Sequence, residues 1–163
     1  MKITRWGEYA LICALHLARR FSEPVVGGTE IAEIEGIPLQ YTYQVLQKLR
    51  KGKVVSSVRG AQGGYRLARD PAEINLRDVL VAVEGDTFQI VCETNPVHLD
   101  GRCQEGSGCD LSNVWRELKV SIDSLLEQKT LASILSSPAP SPLVELGSSP
   151  KSNHLVDEKT LDA

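Results

Sequence analysis

The sequence has no run of eighteen apolar residues, so no segment is long enough to cross a bilayer as a helix. Its N-terminus also lacks a basic stretch followed by an apolar one and a small-residue cleavage site; the chain therefore reads as a cytosolic protein with no membrane partner. Histidine is nearly missing, with only His16, His98 and His154. There is no phosphate-cradling glycine loop ahead of a lysine and no Ser/His/Asp grouping, so the chain does not read as an enzyme. Cysteine is scarce too. The four present, Cys13, Cys92, Cys103 and Cys109, are too few for a stapled secreted scaffold. Three of them cluster within eighteen residues, and in a reducing compartment such thiols point to a metal before they point to disulfides. One further absence is local: from Gly36 to Arg69 there is no acidic residue at all.

At 163 residues the chain fits one compact domain with attachments rather than two independent domains. The overall net charge of -3 would argue weakly against a nucleic-acid partner, but it averages two unlike halves. Met1 to Arg69 holds eleven Lys/Arg against five Asp/Glu, net +6, and Asp70 to Ala163 holds seven against sixteen, net -9. That asymmetry is the informative quantity.

Periodicity sets out a mainly α chain with a small β-wing. Thr4 can cap a helix over about Arg5 to Arg20, whose apolar stripe includes Ala10, Leu11, Ala14, Leu15, Leu17 and Ala18. Thr29 is placed to cap a short helix, Glu30 to Glu35, ended by Gly36, Ile37 and Pro38. A third helix covers Leu39 to Lys51, with Tyr41, Val45, Leu46 and Leu49 as its expected buried side and Gly52 as its stop. Two short helices joined by a tight glycine turn make a helix-turn-helix, whose second member is the one able to enter a major groove. Val54, Val55 and Val58, then Gly60, Gly63 and Gly64, then Tyr65 and Leu67, read as two strands and a glycine-rich turn, a wing. Ile74, Leu76, Val79, Leu80 and Val83 mark a helix ending near Gly85.

Irregular sequence from Asp86 to Gly108 reads as a loop around the cysteines. Beyond it, Asp110 or Ser112 caps a long helix on which Val114, Trp115, Leu118, Ile122, Leu125 and Leu126 form one apolar face. An exposed stripe of that length calls for a partner, with Trp115, Leu118, Ile122 and Leu125 as the dimerisation candidates. The Ser- and Pro-rich sequence from Ser136 cannot offset the entropy of ordering and reads as a disordered tail. The expected organisation is thus a winged helix-turn-helix over 1–85, a cysteine loop over 86–110, a dimerisation helix over 111–135 and a tail over 136–163.

Seven basic residues fall in the acid-free stretch: Lys48, Arg50, Lys51, Lys53, Arg59, Arg66 and Arg69. Contact with the phosphates of double-stranded DNA is the direct explanation, since the run coincides with a helix-turn-helix and its wing; a solvated face is the plainer alternative. Gln40, Tyr43, Gln44 and Gln47 lie opposite the apolar side of the third helix, and amides of this kind can bond adenine edges. Arg59, at the wing turn, suits a minor groove or a phosphate. Gln40, Tyr43, Gln44, Lys48, Lys51, Arg59 and Arg66 are the DNA-binding candidates.

Ten residues separate Cys92 from Cys103 and five separate Cys103 from Cys109. Zinc ribbons and fingers favour pairs two to four residues apart, so the longer gaps suit an iron-sulfur cluster better; a thiol redox sensor is the bland reading. A cluster normally takes four protein ligands and the loop supplies three thiolates. Cys13 sits on the packed side of the first helix, His98 is a lone loop histidine, and Glu8 is a carboxylate that a dimer partner could bring to the cluster.

Four segments carry a family likeness: Ile3 to Ala10 (ITRWGEYA), Leu46 to Leu67 (LQKLRKGKVVSSVRGAQGGYRL), Ile74 to Gly85 (INLRDVLVAVEG) and Cys109 to Leu118 (CDLSNVWREL). Over Met1 to Leu135 the chain resembles the Rrf2 family of bacterial regulators, and the three cysteines before the long helix resemble its cluster-binding branch. The resemblance implies a homodimeric repressor, joined along the long helix, whose grip on an operator depends on a [2Fe–2S] or [4Fe–4S] cluster. Some members have a histidine three residues after the last cysteine, where this chain has Ser112. Nitric-oxide-sensing members use a carboxylate where this chain has Glu8, so the resemblance implies Cys92, Cys103, Cys109 and Glu8 as the ligand set. Tyr43 stands where some members carry an acidic residue that affects operator choice. A cluster-free winged-helix regulator answering to a thiol metabolite or a protein partner is the competing reading; an iron-sulfur electron carrier leaves the wing and the basic stretch unexplained.

Overall fold

The computed structural model describes residues 4–60, 62–86, 88 and 110–137. The chain order is α1 (Arg5–Arg19), α2 (Gly28–Glu35), α3 (Leu39–Lys51), β1 (Val55–Val58), β2 (Gly64–Leu67), α4 (Leu76–Glu84), α5 (Asp110–Gln128) and α6 (Leu131–Ser136). This is the mainly α architecture with a two-stranded wing that the periodicity indicates. The loop from 89 to 109, with Cys92, His98, Cys103 and Cys109, and the tail from 138 lie outside the described residues.

Thr4 caps α1 by accepting a hydrogen bond from the Trp6 amide. The end of α4 reinforces this cap, because Glu84 Oε1 accepts from the Thr4 amide at 3.0 Å and from its hydroxyl at 2.9 Å. A glycine is required where the two helices meet: a Cβ on Gly7 would come within 2.2 Å of that same carboxylate oxygen. The core lies where α1, α2, α3 and α4 converge, with Leu17, Ile31, Leu46, Leu49 and Ile74 fully enclosed. Each such side chain contributes about 1.5–3 kcal/mol of burial.

Four expectations are corrected by the packing. Thr29 does not cap α2: the helix begins two residues earlier, at Gly28 with Gly27 as its cap, and the Thr29 hydroxyl turns to Tyr43 instead. Thr42, not Tyr41, completes the buried side of α3; Tyr41 is 44% exposed and leans edge-on against Trp6, with ring centroids 5.2 Å apart. Gly52 ends α3 as expected, at a place where a Cβ would meet the Ala82 Cβ at 2.4 Å. The long C-terminal helix expected over 111–135 divides, because Lys129 and Thr130 leave helical geometry and Thr130 opens α6, accepting from the Ser133 amide. Asp110 is the first helical residue of α5, so Ser112 lies inside the helix rather than at its cap.

That division ties the C-terminal region back to the winged-helix unit. Asn75 and Thr130 form an antiparallel bridge, with the Leu76 amide donating to the Lys129 carbonyl and the Leu131 amide to the Ile74 carbonyl, each at 2.9 Å. Leu131 is wholly buried behind this bridge. Along α4 and α5, Arg77 faces Asp123 at 3.3 Å, and Lys119 reaches back to Asp86 at 2.5 Å and to the Phe88 carbonyl at 3.0 Å.

Candidate nucleic-acid interface

Burial of Thr42, Val45, Leu46 and Leu49 turns the opposite side of α3 outward, and Gln40, Tyr43, Gln44, Gln47, Lys48, Arg50 and Lys51 are all exposed. The wing stands beside this helix because β2 pairs twice: with β1 in the register Ser57↔Tyr65, and with Val26 just before α2. The Val26 and Tyr65 amides exchange hydrogen bonds of 2.9 and 2.8 Å with each other's carbonyls. Val26 is thus a third strand of one residue, too short for alternation to betray it in the sequence.

Between helix and wing lies a cleft of about 400 Å³ lined by Tyr43, Gln44, Gln47, Arg50, Ser57, Arg59 and Tyr65. Two guanidiniums and two amides face the same hollow, and no carboxylate lines it. Tyr43 is held in place from below, its ring against Gly28, where a Cβ would lie 2.7 Å from Cε1, and its hydroxyl 3.3 Å from the Thr29 hydroxyl. Gly60 takes φ 126° in the wing turn and leaves Arg59 exposed at its start.

Four of the seven DNA-binding candidates fall outside the cleft. Gln40 and Lys51 are exposed on α3 but do not line it. Lys48 is exposed but its ammonium is folded back on the protein, donating to the Val83 carbonyl at 3.0 Å and lying 4.9 Å from the centre of the Trp6 ring. Arg66 points to the other face of the hairpin, where its Nε donates to Ser56 Oγ at 3.4 Å beside Phe21, Arg69 and Asp70. Arg50, one of the seven basic residues of the acid-free stretch but not among the seven residues singled out for DNA binding, lines the cleft; it follows Gln47 by three residues and Tyr43 by seven, the spacing of one helix face.

Of the ligand candidates, Glu8 and Cys13 are described. Glu8 is exposed in the first turn of α1, and its carboxylate makes no hydrogen bond or ion pair among the described residues. Cys13 is fully buried; burial, with the nearby Glu35 carboxylate adding to it, pushes its thiol up to about 12. A thiol that stays protonated is a poor ligand, so Cys13 is a core residue. His16 is buried as well, with Nδ1 2.6 Å from the Glu35 carboxylate. Among the described residues no three His, Cys, Asp or Glu side chains gather closely enough to hold a metal ion.

On α5, Val114, Trp115, Leu118 and Leu125 are exposed and Ile122 is half-buried beside them. Val120, on the opposite side of the helix, is also exposed. No helix among the described residues is long and apolar enough to cross a membrane.

A family model for iron-dependent transcriptional regulators, Rrf2, matches residues 3–137. The chain belongs to the Rrf2 family. Among curated Rrf2 relatives, the HTH-type transcriptional regulator IscR of Vibrio vulnificus is 36% identical over 136 residues, covering 83% of this chain and 78% of that one. Among solved structures, T. potens IscR superposes with a TM-score of 0.64 at 34% identity, covering 83% of this chain and 86% of that one. A transcriptional regulator from Listeria innocua gives a TM-score of 0.69 at 30% identity, covering 89% and 93%. As an Rrf2 protein the chain is a DNA-binding transcriptional regulator rather than a catalyst, and the helix-turn-helix with its wing is the part built for that task.

Proposed function

We propose that this Rrf2 regulator is a homodimeric repressor whose affinity for an operator is set by an iron-sulfur cluster bound to Cys92, Cys103 and Cys109, with Glu8 of the other protomer as fourth ligand. The observation that carries the reading is the cleft, where Gln44, Gln47, Arg50 and Arg59 face one side of the molecule with no carboxylate among them. Amides there read base edges while the guanidiniums neutralise phosphate or enter a minor groove.

The donor chemistry fits the group. Glu8 is an exposed carboxylate without partners among the described residues, while Cys13 is protonated and enclosed, so Glu8 rather than Cys13 suits the fourth position that the family resemblance implies beside the three loop thiols. Such a cluster, when bound, supplies an inorganic centre whose assembly and charge follow iron supply and redox poise. The chain's own contribution is positional. Trp115, Leu118, Ile122 and Leu125 of two protomers pack together, and the separation of the two α3 helices must then come near ~34 Å to meet successive major grooves. A ligand contributed across the seam makes that separation and the ligand set mutually dependent, so their affinities are coupled reciprocally.

The test is anaerobic purification with iron and sulfide counts and absorption spectra on wild type and Glu8→Ala, followed by gel shifts of loaded and metal-free protein. The expected result is a coloured wild type, a Glu8→Ala protein with altered spectrum or iron content, and different shifts for the two forms. Colourless, iron-free protein from iron-replete cells would remove the cluster and favour a regulator answering to a thiol compound or a protein. Identical shifts would remove the switch.

A further inference from the structure

We propose that a second hollow, on the side of α3 away from the wing, holds a DNA backbone phosphate, so that each protomer grips both strands bordering the major groove. This rests on the DNA-binding reading above and extends it to a site on α1. The hollow has a volume of about 220 Å³ and is lined by Arg5, Trp6, Tyr9 and Tyr41.

Helical arithmetic places it. At about 100° per residue, Tyr43 and Tyr41 leave α3 about 160° apart, on opposite flanks of the ridge formed by Gln40, Gln44, Gln47 and Lys51. One flank opens on the wing cleft and the other on this hollow. A major groove is ≈ 12 Å wide, close to the diameter of a helix with its side chains, so a helix lying in it is bordered by a phosphate rail on each flank. The wing side offers Arg50 and Arg59 to one rail. The hollow is what remains to meet the other.

Its chemistry suits an anion. The Arg5 guanidinium lies 5.9 Å from the centre of the Tyr9 ring and makes no ion pair among the described residues, and neither the Tyr9 nor the Tyr41 hydroxyl has a hydrogen-bond partner among them. One cation and two unoccupied hydroxyls therefore border a hollow whose lining contains no carboxylate. Arg5 is also misplaced as a structural residue, because a cation in the first turn of a helix opposes its dipole. The α1 terminus already has an internal anion in Glu84, which sits over Gly7 on the other side of the helix. Glu8, in the same turn as Arg5, does not line the hollow. Trp6 and Tyr41 brace the site edge to face, and the exposed Lys48 lays its ammonium against the Trp6 ring.

Phosphate binding is independent of sequence, so a mixed-sequence 30-base-pair duplex suffices as the probe. Affinity is measured by fluorescence anisotropy over a salt series for the full chain, Arg5→Ala and Arg5→Lys. Arg5→Ala is expected to flatten the slope of log affinity against log salt by about 0.9 for each phosphate no longer neutralised, and Arg5→Lys to restore most of that slope. Arg5→Ala combined with Arg59→Ala is expected to flatten the slope by the sum of the two single changes, as for phosphates held on opposite flanks of α3. An unchanged slope with Arg5→Ala, while wild type binds, would overturn this site and leave the cleft standing. A wild type that does not bind the duplex in any salt would overturn both.

Discussion

A Cβ on Gly64 would lie 2.5 Å from the Val26 carbonyl oxygen, and main chain, unlike the end of a side chain, cannot swing aside. Gly64→Ala should therefore part the wing from Val26, break the hydrogen-bond pair with Tyr65 and cost about 1–3 kcal/mol, read as a shifted urea midpoint with an unchanged slope. Cys13 gives a prediction of another kind. Its thiol lies above the ordinary value of 9.0, at about 12, because burial disfavours the thiolate. A raised folded-state value means the contribution is fully present below pH 9 and is lost as pH climbs from there towards 12. The difference in unfolding free energy between wild type and Cys13→Ala should be flat below pH 9 and shrink above it. A difference independent of pH would show that the thiol is not held in its neutral form. The fate of single residues was only partly legible in advance. Cys13 on the packed side of its helix could be read from spacing. Lys48 could not, because its long stem is steered by Trp6 and the Val83 carbonyl, which come from α1 and α4, far off in the chain.

Helices were the most legible elements, because apolar spacing reports a buried face directly. The reading of α3 as Leu39 to Lys51 coincides with the helix, and α1 differs by one residue at its end. The start of α2 escaped because Gly27 takes its place from the Val26 bridge, which forms across the chain rather than along it. The interruption between α5 and α6 had a local signal, a threonine three residues before a serine whose amide it caps, but the apolar period runs on through Leu131 and hides it. Leu131→Ala tests how much that junction matters. The side chain is fully enclosed next to the Asn75–Thr130 bridge, so its truncation should destabilise the fold by about 2–5 kcal/mol and should leave α3 and the wing cleft in place in the folded fraction. Near-wild-type stability would mean that α6 is not part of the core. The wing was legible from its glycines, and which of its arginines faces α3 was not, since that depends on the register Ser57↔Tyr65.

Across the molecule, charge is divided: net +6 before Asp70 and -9 after it. The positive part contains the cleft and the hollow, so binding to any duplex should weaken steeply with salt. Two substitutions separate grip from reading. Arg59→Ala should lower affinity for all sequences and lessen the salt dependence, whereas Gln44→Ala should change preference at particular base pairs by about 1–3 kcal/mol with the salt slope intact. Equal behaviour of both mutants and wild type in competition assays would end the assignment of the cleft. Arg66→Ala, on the hairpin's far face, should move neither quantity. At this scale the function was legible in the acid-free stretch of sequence. The fourth ligand of the proposed cluster was not, because the spacing of Cys92, Cys103 and Cys109 counts thiols without saying which other side chain stands near them.

Main-chain hydrogen bonds weld Thr130 to Asn75, and so α5 is a crank whose hub is fixed on the reading head. Its 19 residues make a shaft ~28 Å long, whose rim is Asp110, one peptide bond beyond Cys109. A push of ~1 Å at that rim turns the hub by about 2°. Under the proposed binding of a cluster at Cys109, gain or loss of that ligand would act at this rim, and the Asn75–Thr130 bridge with the Arg77–Asp123 pair would carry the displacement to the winged unit.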